Sequence, residues 1–132
     1  MLLKKGLNAP LFLCILYSMA PKILTRRNLR ILYGALIKMP PFNQYRMPAP
    51  HKIQFAVMKL DGALGYFHTE PCRIELDISN DTWHKMSETL LHEMIHLCRY
   101  HNGKWDFDSH NHNFISLAQR ICDIYMFDID TF

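Results

Sequence analysis

Two histidines and a glutamate stand in the pattern His92-Glu93-Met94-Ile95-His96, the stretch of this sequence best suited to chemistry. Residues four apart on an α-helix rise about 6 Å and return to nearly the same direction, so both imidazoles would project side by side. One Zn²⁺ can take both rings as ligands, and Glu93 stands close enough to hold a water molecule without binding the ion itself. The pattern therefore predicts a metal site.

A catalytic zinc site needs a third protein ligand and keeps one position open for water. Three later histidines are candidates, namely His101, His110 and His112. His101 is five residues beyond His96 and would point away from the pair. His110 and His112 begin the predicted last helix, which can fold back across the first, and both stay candidates.

The alternative to a metal site is a set of core histidines satisfied by ordinary hydrogen bonds. An ordinary core helix would carry leucines at these positions, and burial of two imidazoles and a carboxylate without partners is costly. The composition of the stretch therefore favours the metal site.

Three helices are predicted to hold these residues. Thr25 caps a helix over 26–38 that Pro40 and Pro41 end; Ser79-Asn80-Asp81 caps a second over 82–100; the last is capped near Asp108 or Ser109. The second helix carries both histidines and is apolar on most sides, so it should lie at the centre of the fold.

Three strands are predicted before the central helix, over residues 53–57, 63–67 and 72–78, and the last has the clearest two-residue period. The turn signal Asp61-Gly62 predicts a hairpin between the first two. Together the elements predict an α+β fold, with a small three-stranded sheet packed on the central helix between an N-terminal and a C-terminal helix.

The chain resembles the SprT-like zinc metallopeptidases, the group of Spartan-type proteases and small bacterial and phage relatives. The resemblance covers about residues 25–132 and rests on three stretches. They are Ile74-Glu75-Leu76-Asp77-Ile78-Ser79, then Thr89-Leu90-Leu91-His92-Glu93-Met94-Ile95-His96, then His110-Asn111-His112-Asn113-Phe114. Gly65-Tyr66-Phe67 is also similar to the glycine and aromatic of the family's central strand. The spacing of His110 and Phe114 implies His110 as third ligand; Asn111 replaces the usual glycine, and His112 is the alternative.

The resemblance implies a zincin-like fold and a peptidase in which one Zn²⁺ activates water with Glu93 as general base. Tyr66, His68 and Tyr100 are candidate oxyanion donors, and Asp106 or Asp108 could orient a ligand imidazole. The rival hypothesis is a zinc-stabilised module that binds DNA or a protein without turnover. The intact Glu93 favours the peptidase, because a purely structural site has no use for that carboxylate.

The net charge of +3 conceals an uneven distribution along the 132 residues. Residues 1–60 hold ten Lys or Arg and no acid, whereas residues 61–132 hold five basic and twelve acidic residues. Family members often act on DNA-bound proteins, and the basic half predicts nucleic-acid contacts at Arg26, Arg27, Arg30 and Lys38. A solvated basic surface with no partner is the alternative.

The chain is predicted to be one domain over residues 25–132, preceded by an N-terminal extension over 1–24. Cys14, Cys72, Cys98 and Cys122 form no C-x-x-C pair and predict reduced thiols, so a cytoplasmic protein is expected. Residues 1–20 have features of a signal peptide, which makes secretion the alternative, although Pro10 and Pro21 are poorly placed for cleavage. A translation start at Met19 is a further interpretation of this segment. The apolar run is too short to cross a bilayer, so no membrane partner is expected.

Overall fold

The structure of the protein is a computed structural model that describes residues 22–132. The predictions for a signal peptide, a start at Met19 and most of the extension lie outside the described residues. Within residues 22–132, three α-helices and three strands confirm the predicted α+β class. They are α1 (Arg26–Leu36), β1 (Gln54–Met58), β2 (Gly65–Thr69), β3 (Cys72–Asp77), α2 (Trp83–His101) and α3 (His112–Tyr125).

The three strands form one mixed sheet in the order β1-β3-β2. β3 pairs in parallel with β1 and antiparallel with β2, so the predicted hairpin between β1 and β2 is wrong. The turn at Gly62 is present, with φ of 75°, but the connection around it passes over the end of β3. Asp77 holds this crossing, because its backbone N–H donates to Leu64 and its carboxylate accepts from the N–H of Leu60.

β3 occupies the centre of the sheet because its apolar side chains are the most deeply buried of the three strands. Ile74 and Leu76 are fully buried, whereas Gln54 and Tyr66 on the flanking strands are exposed. Gly65-Tyr66-Phe67, which resembles the family's central strand, therefore lies in an edge strand of the described sheet.

Helix α2 is the centre of the core, as its apolar composition predicts. It packs against the sheet on one side and contacts both other helices. Its buried apolar residues are Met86, Leu90, Leu91, Met94, Ile95, Leu97 and Cys98. The two histidines and Glu93 are therefore held on a helix that contacts the sheet and the two other described α-helices.

The helix caps differ in part from the prediction. Thr25 caps α1, as expected, by accepting from the N–H of Asn28. Thr82 rather than Ser79-Asn80-Asp81 caps α2, since its hydroxyl accepts from the N–H of Lys85. Asp81 instead accepts from the backbone N–H groups of residues 23 and 24, which ties the entry to α1 onto the start of α2.

Cys72, Cys98 and Cys122 are free thiols, which agrees with the prediction of reduced cysteines for these three. Between residues 22 and 132, no helix has the length and apolar character needed to cross a membrane.

Candidate metal centre

Three imidazoles converge at the middle of α2. His92 and His96 lie one turn apart on that helix, and His110 approaches both from the segment just before α3. Its Nε2 is 3.2 Å from Nε2 of His92 and 3.1 Å from Nε2 of His96. One nitrogen from each ring lies within 4.8 Å of the others, so the three side chains form a single cluster.

Two main-chain carbonyls orient the rings on α2. Nδ1 of His92 lies 2.8 Å from the carbonyl oxygen of Phe132, and Nδ1 of His96 lies 2.7 Å from that of Phe107. A carbonyl oxygen can only accept, so Nδ1 carries the hydrogen in both rings. Nε2 of each neutral ring is thereby left with a lone pair directed into the cluster, which is the tautomer that a metal ligand requires.

The cluster suits a cation better than it suits hydrogen bonding among its own members. A single N–H on Nε2 of His110 could satisfy only one of its two acceptors, His92 or His96, whereas one cation satisfies all three nitrogens. Two nitrogens about 2.0–2.1 Å from a tetrahedral Zn²⁺ lie roughly 3.3 Å apart. The two short separations in the cluster are close to this value, and three imidazoles are a donor set that zinc accepts.

Burial keeps the two helix imidazoles neutral. It lowers the pKa of His92 to about 4 and also lowers the pKa of His96 below its ordinary value. Because only the neutral ring offers a lone pair to a metal, both side chains are ready to bind a cation at neutral pH.

Glu93 lies beside the cluster and is only 5% exposed. Burial, with a smaller contribution from the charge of Asp108, raises the pKa of Glu93 to about 8. Its side chain lines two adjacent cavities, one of about 320 Å³ that also contains the three histidines and one of about 190 Å³ on the side of Phe132. The Glu93 carboxyl group thus lies next to three imidazoles in a cleft, where it is placed to exchange a proton with a bound molecule.

Gly65 allows β2 to approach α2 closely at this point. A Cβ on Gly65 would lie 2.9 Å from Cγ2 of Thr89 and 3.0 Å from Oε1 of Glu93. Only a glycine therefore leaves the Glu93 carboxylate in its place. The resemblance at Gly65-Tyr66 pointed to this position, but only the structure shows that the glycine faces the carboxylate.

Phe114 and Asn111 hold the third imidazole. The ring of Phe114 packs against all three histidines, with centroid distances of 4.4 Å to His110 and 4.9 Å to each of the others. Asn111, rather than Asp108 or Ser109, caps α3 by accepting from backbone N–H groups at its start. Its side-chain amide also donates to Asp106, which in turn binds Arg99 on α2.

Other histidines and acids singled out in the sequence lie outside the cluster. His112 is the exposed first residue of α3, and His101 is exposed at the end of α2. The carbonyls of Phe132 and Phe107, rather than Asp106 or Asp108, orient the rings of His92 and His96. No residue type marks a main-chain carbonyl, so the sequence offered no signal for either one.

The three candidate oxyanion donors lie in different positions relative to the cleft. Tyr66 lines the larger cavity. His68 instead lies 2.8 Å from the carboxylate of Glu75, and the ring of Tyr100 packs on Phe107. Tyr66 is therefore the member of the set that faces the cleft.

Three of the four predicted nucleic-acid contacts share a groove on another part of the surface. Arg26, Arg27 and Arg30 of α1 line an open groove of about 750 Å³ together with Arg73 and residues 54–57. Lys38 is exposed beyond the end of α1 and does not line it.

A model of the SprT-like family matches residues 40–131, a range that contains the three histidines, Glu93, Gly65 and Phe114. Among curated proteins and solved structures, nothing matches the chain.

Proposed function

Because the chain belongs to the SprT-like family, we propose that it is a zinc-dependent metallopeptidase with a zincin-like active site. The observation that carries this proposal is the convergence of His92, His96 and His110 next to a buried Glu93 in a cleft. Family membership alone supplies the class of reaction, and the cluster supplies residues able to perform it.

The three histidines would hold one Zn²⁺ through Nε2, with the carbonyls of Phe107 and Phe132 keeping two of the rings in the required tautomer. When bound, the ion supplies Lewis-acid chemistry, since it lowers the pKa of water and polarises a carbonyl group. The ring of Phe114 packs against all three imidazoles and so restricts their movement.

Glu93 acts as the general base and then as the general acid. Its carboxylate takes a proton from the attacking water and later returns that proton to the amine nitrogen that leaves. Position supports this role, because the buried Glu93 carboxyl group lines the same cavity as the three histidines. Gly65 contributes by leaving room for the carboxylate at the floor of the cleft.

The substrate is an extended peptide that lies along β2. Among the described strands β2 pairs only with β3, so its outer edge is open, and residues 65–67 line the cavity that holds the histidines. A peptide can add to such an edge through main-chain hydrogen bonds, which brings a scissile carbonyl toward Glu93.

The rival proposal is a zinc-stabilised module without turnover, and Glu93→Gln separates the two. In a peptidase this change lowers cleavage of an unfolded protein substrate by at least about 100-fold while the zinc content stays the same. Glu70→Gln, an exposed change in the β2–β3 turn, is the matched control and should leave cleavage unchanged. A wild-type chain that binds zinc but cleaves nothing would favour the module.

Action on DNA-bound proteins is the finer part of the proposal, and Arg26, Arg27 and Arg30 in one groove support it. The test compares cleavage of a DNA-binding protein with and without DNA at low and moderate salt. Reversing the three arginines to Glu should remove any stimulation by DNA, whereas reversing Lys59, Lys85 and Lys104 should not. Equal cleavage with and without DNA would contradict this part alone.

A further inference from the structure

The seven residues after α3 fold back onto the metal centre, and we call residues 126–132 the C-terminal arm. Met126 adopts a left-handed conformation that ends α3, with φ of 62°. The N–H of Phe127 then donates to the carbonyl of Cys122, which turns the chain away from the helix axis. The arm runs from this point toward the middle of α2.

A tight turn centred on Asp128 shapes the end of the arm. The N–H groups of Thr131 and Phe132 donate to the carbonyl oxygen of Asp128 at 3.1 and 3.0 Å, and the N–H of Asp130 donates to its carboxylate at 2.9 Å. These local bonds use the backbone donors of the turn and leave the carbonyl of Phe132 directed at His92.

Aromatic packing fastens the arm to α2. The ring of Phe127 lies 5.2 Å from that of His84, and the ring of Phe132 lies 5.5 Å from that of His92 and 6.2 Å from that of Phe127. Thr131 and Phe132 also form one wall of the smaller cavity beside Glu93.

The two helix imidazoles are thus oriented by segments of different kinds. His96 donates to Phe107, which belongs to the connection between α2 and α3. His92 donates to Phe132, which is forty positions away in sequence and belongs to the arm. The orientation of one candidate ligand therefore depends on whether the arm is docked.

We propose that the C-terminal arm is a positioning element of the metal centre, in which the main-chain carbonyl of Phe132 holds His92 in its metal-binding tautomer. The inference rests on the proposed function, since it takes the histidine cluster as the metal site. An outer hydrogen bond to a ligand histidine typically changes metal affinity by about 10- to 100-fold. The docked arm should therefore strengthen zinc binding without touching the ion.

The test measures zinc dissociation constants by competition with a chromophoric chelator. A chain that ends at Asp130 loses the carbonyl and should bind zinc about 10- to 100-fold more weakly than the full chain. Phe132→Ala keeps the carbonyl and removes only the ring, so its loss should be smaller, and Phe132→Leu should restore most of the affinity. An unchanged dissociation constant in the shortened chain would overturn the proposal.

The tautomer of His92 gives a second readout that a merely structural arm would not move. In ¹⁵N spectra of the metal-free full chain, His92 should carry its hydrogen on Nδ1, and in the shortened chain it should exchange between tautomers while His96 does not. Should the shortened chain fail to fold, Phe127→Ala loosens the arm with residues 128–132 in place and should change His92 in the same direction. A single Nδ1–H tautomer in every variant would contradict the inference.

The two proposals fail in different ways. A full chain that binds no zinc refutes the proposed function, whatever the arm does to the tautomer of His92. A full chain that binds zinc and keeps that affinity without residues 131 and 132 refutes only the role of the arm.

Discussion

At the scale of single residues, Asn111 explains how His110 reaches the two helix histidines. Its side chain accepts from the N–H groups of Asn113 and Phe114 and donates to Asp106. Its φ of −77° is ordinary for any residue, so the position does not need the glycine usual in the family. Asn111 thus adds a cap and an anchor at the step where the chain turns from His110 into α3.

The choice between His110 and His112 is the first residue-scale prediction. His110→Ala should weaken zinc binding by at least about 100-fold, because two imidazoles alone cannot complete the site. His112→Ala should leave the affinity unchanged, since that side chain is exposed on the first turn of α3. Competition with a chelator measures both, and a larger loss in the His112 variant would reverse the assignment.

Gly65 provides the second residue-scale prediction. In Gly65→Ala the new Cβ collides with Thr89 and with the carboxylate of Glu93, so cleavage should fall by at least about tenfold through displacement of the base. Gly34→Ala is the matched control, because its Cβ would meet nothing nearer than Cγ of Pro50 at 3.4 Å. That change adds helix propensity to α1 and should leave cleavage intact. Equal effects of the two alanines on cleavage would refute this role.

At the scale of elements, the strands were predictable from their own residues and their pairing was not. Alternation of apolar side chains located β1 and β3, because burial of one face is a local property, and the turn signal before β2 located that strand; all three predictions fall within one or two residues of the structure. Pairing depends on contacts between distant segments, such as the hydrogen bonds of Asp77 to the connection that crosses the end of β3. Asp61-Gly62 signalled a turn correctly, but a turn signal does not say which strands lie on its two sides.

Asp77 also makes an element-scale prediction with a definite sign. Hydrogen bonds from Leu60 and Ser79 lower the pKa of Asp77 from its ordinary value of 3.8 to about 2. The unfolded chain therefore binds more protons between these values, and the stabilisation is complete above about pH 4 and lost as pH falls toward 2. Urea unfolding should show Asp77→Asn less stable than wild type at pH 7, with the difference shrinking from pH 4 to pH 2.

Asp61→Asn is the control for this measurement, because Asp61 is an exposed acid in the same connection. Its unfolding midpoint should stay close to that of wild type throughout the range. A difference between wild type and Asp77→Asn that grows on acidification would contradict the assigned sign.

At the scale of the whole molecule, the three histidines of the candidate site were more predictable from the sequence than the groups that orient them. The spacing of His92 and His96 follows from helix geometry, and the match of His110 and Phe114 to a family motif supplied the third histidine. No sequence pattern indicates the carbonyls of Phe107 and Phe132, since every residue has one. Their placement depends on how α3 and the arm pack on α2, which local patterns do not encode.

A metal ion should join these separately packed parts into one cooperative unit. Two candidate ligands lie on α2 and the third lies on the segment that leads into α3, so an ion held by all three opposes separation of the helices. Zinc at 100 times its dissociation constant stabilises a folded chain by about 2.7 kcal/mol if the unfolded chain does not bind it. For a domain of this size that corresponds to a rise in Tm on the order of 10 °C.

Thermal unfolding with and without a chelator measures this effect. Mg²⁺ should give no shift, because it prefers oxygen ligands. His96→Ala should lose the response to zinc, measured against its own metal-free Tm, which the loss of a buried and hydrogen-bonded ring lowers. A response to zinc that survives in His96→Ala would place the ion elsewhere on the protein. Loss of the zinc response in His96→Ala would show that zinc stabilises the helical core through the same three nitrogens that we propose for catalysis.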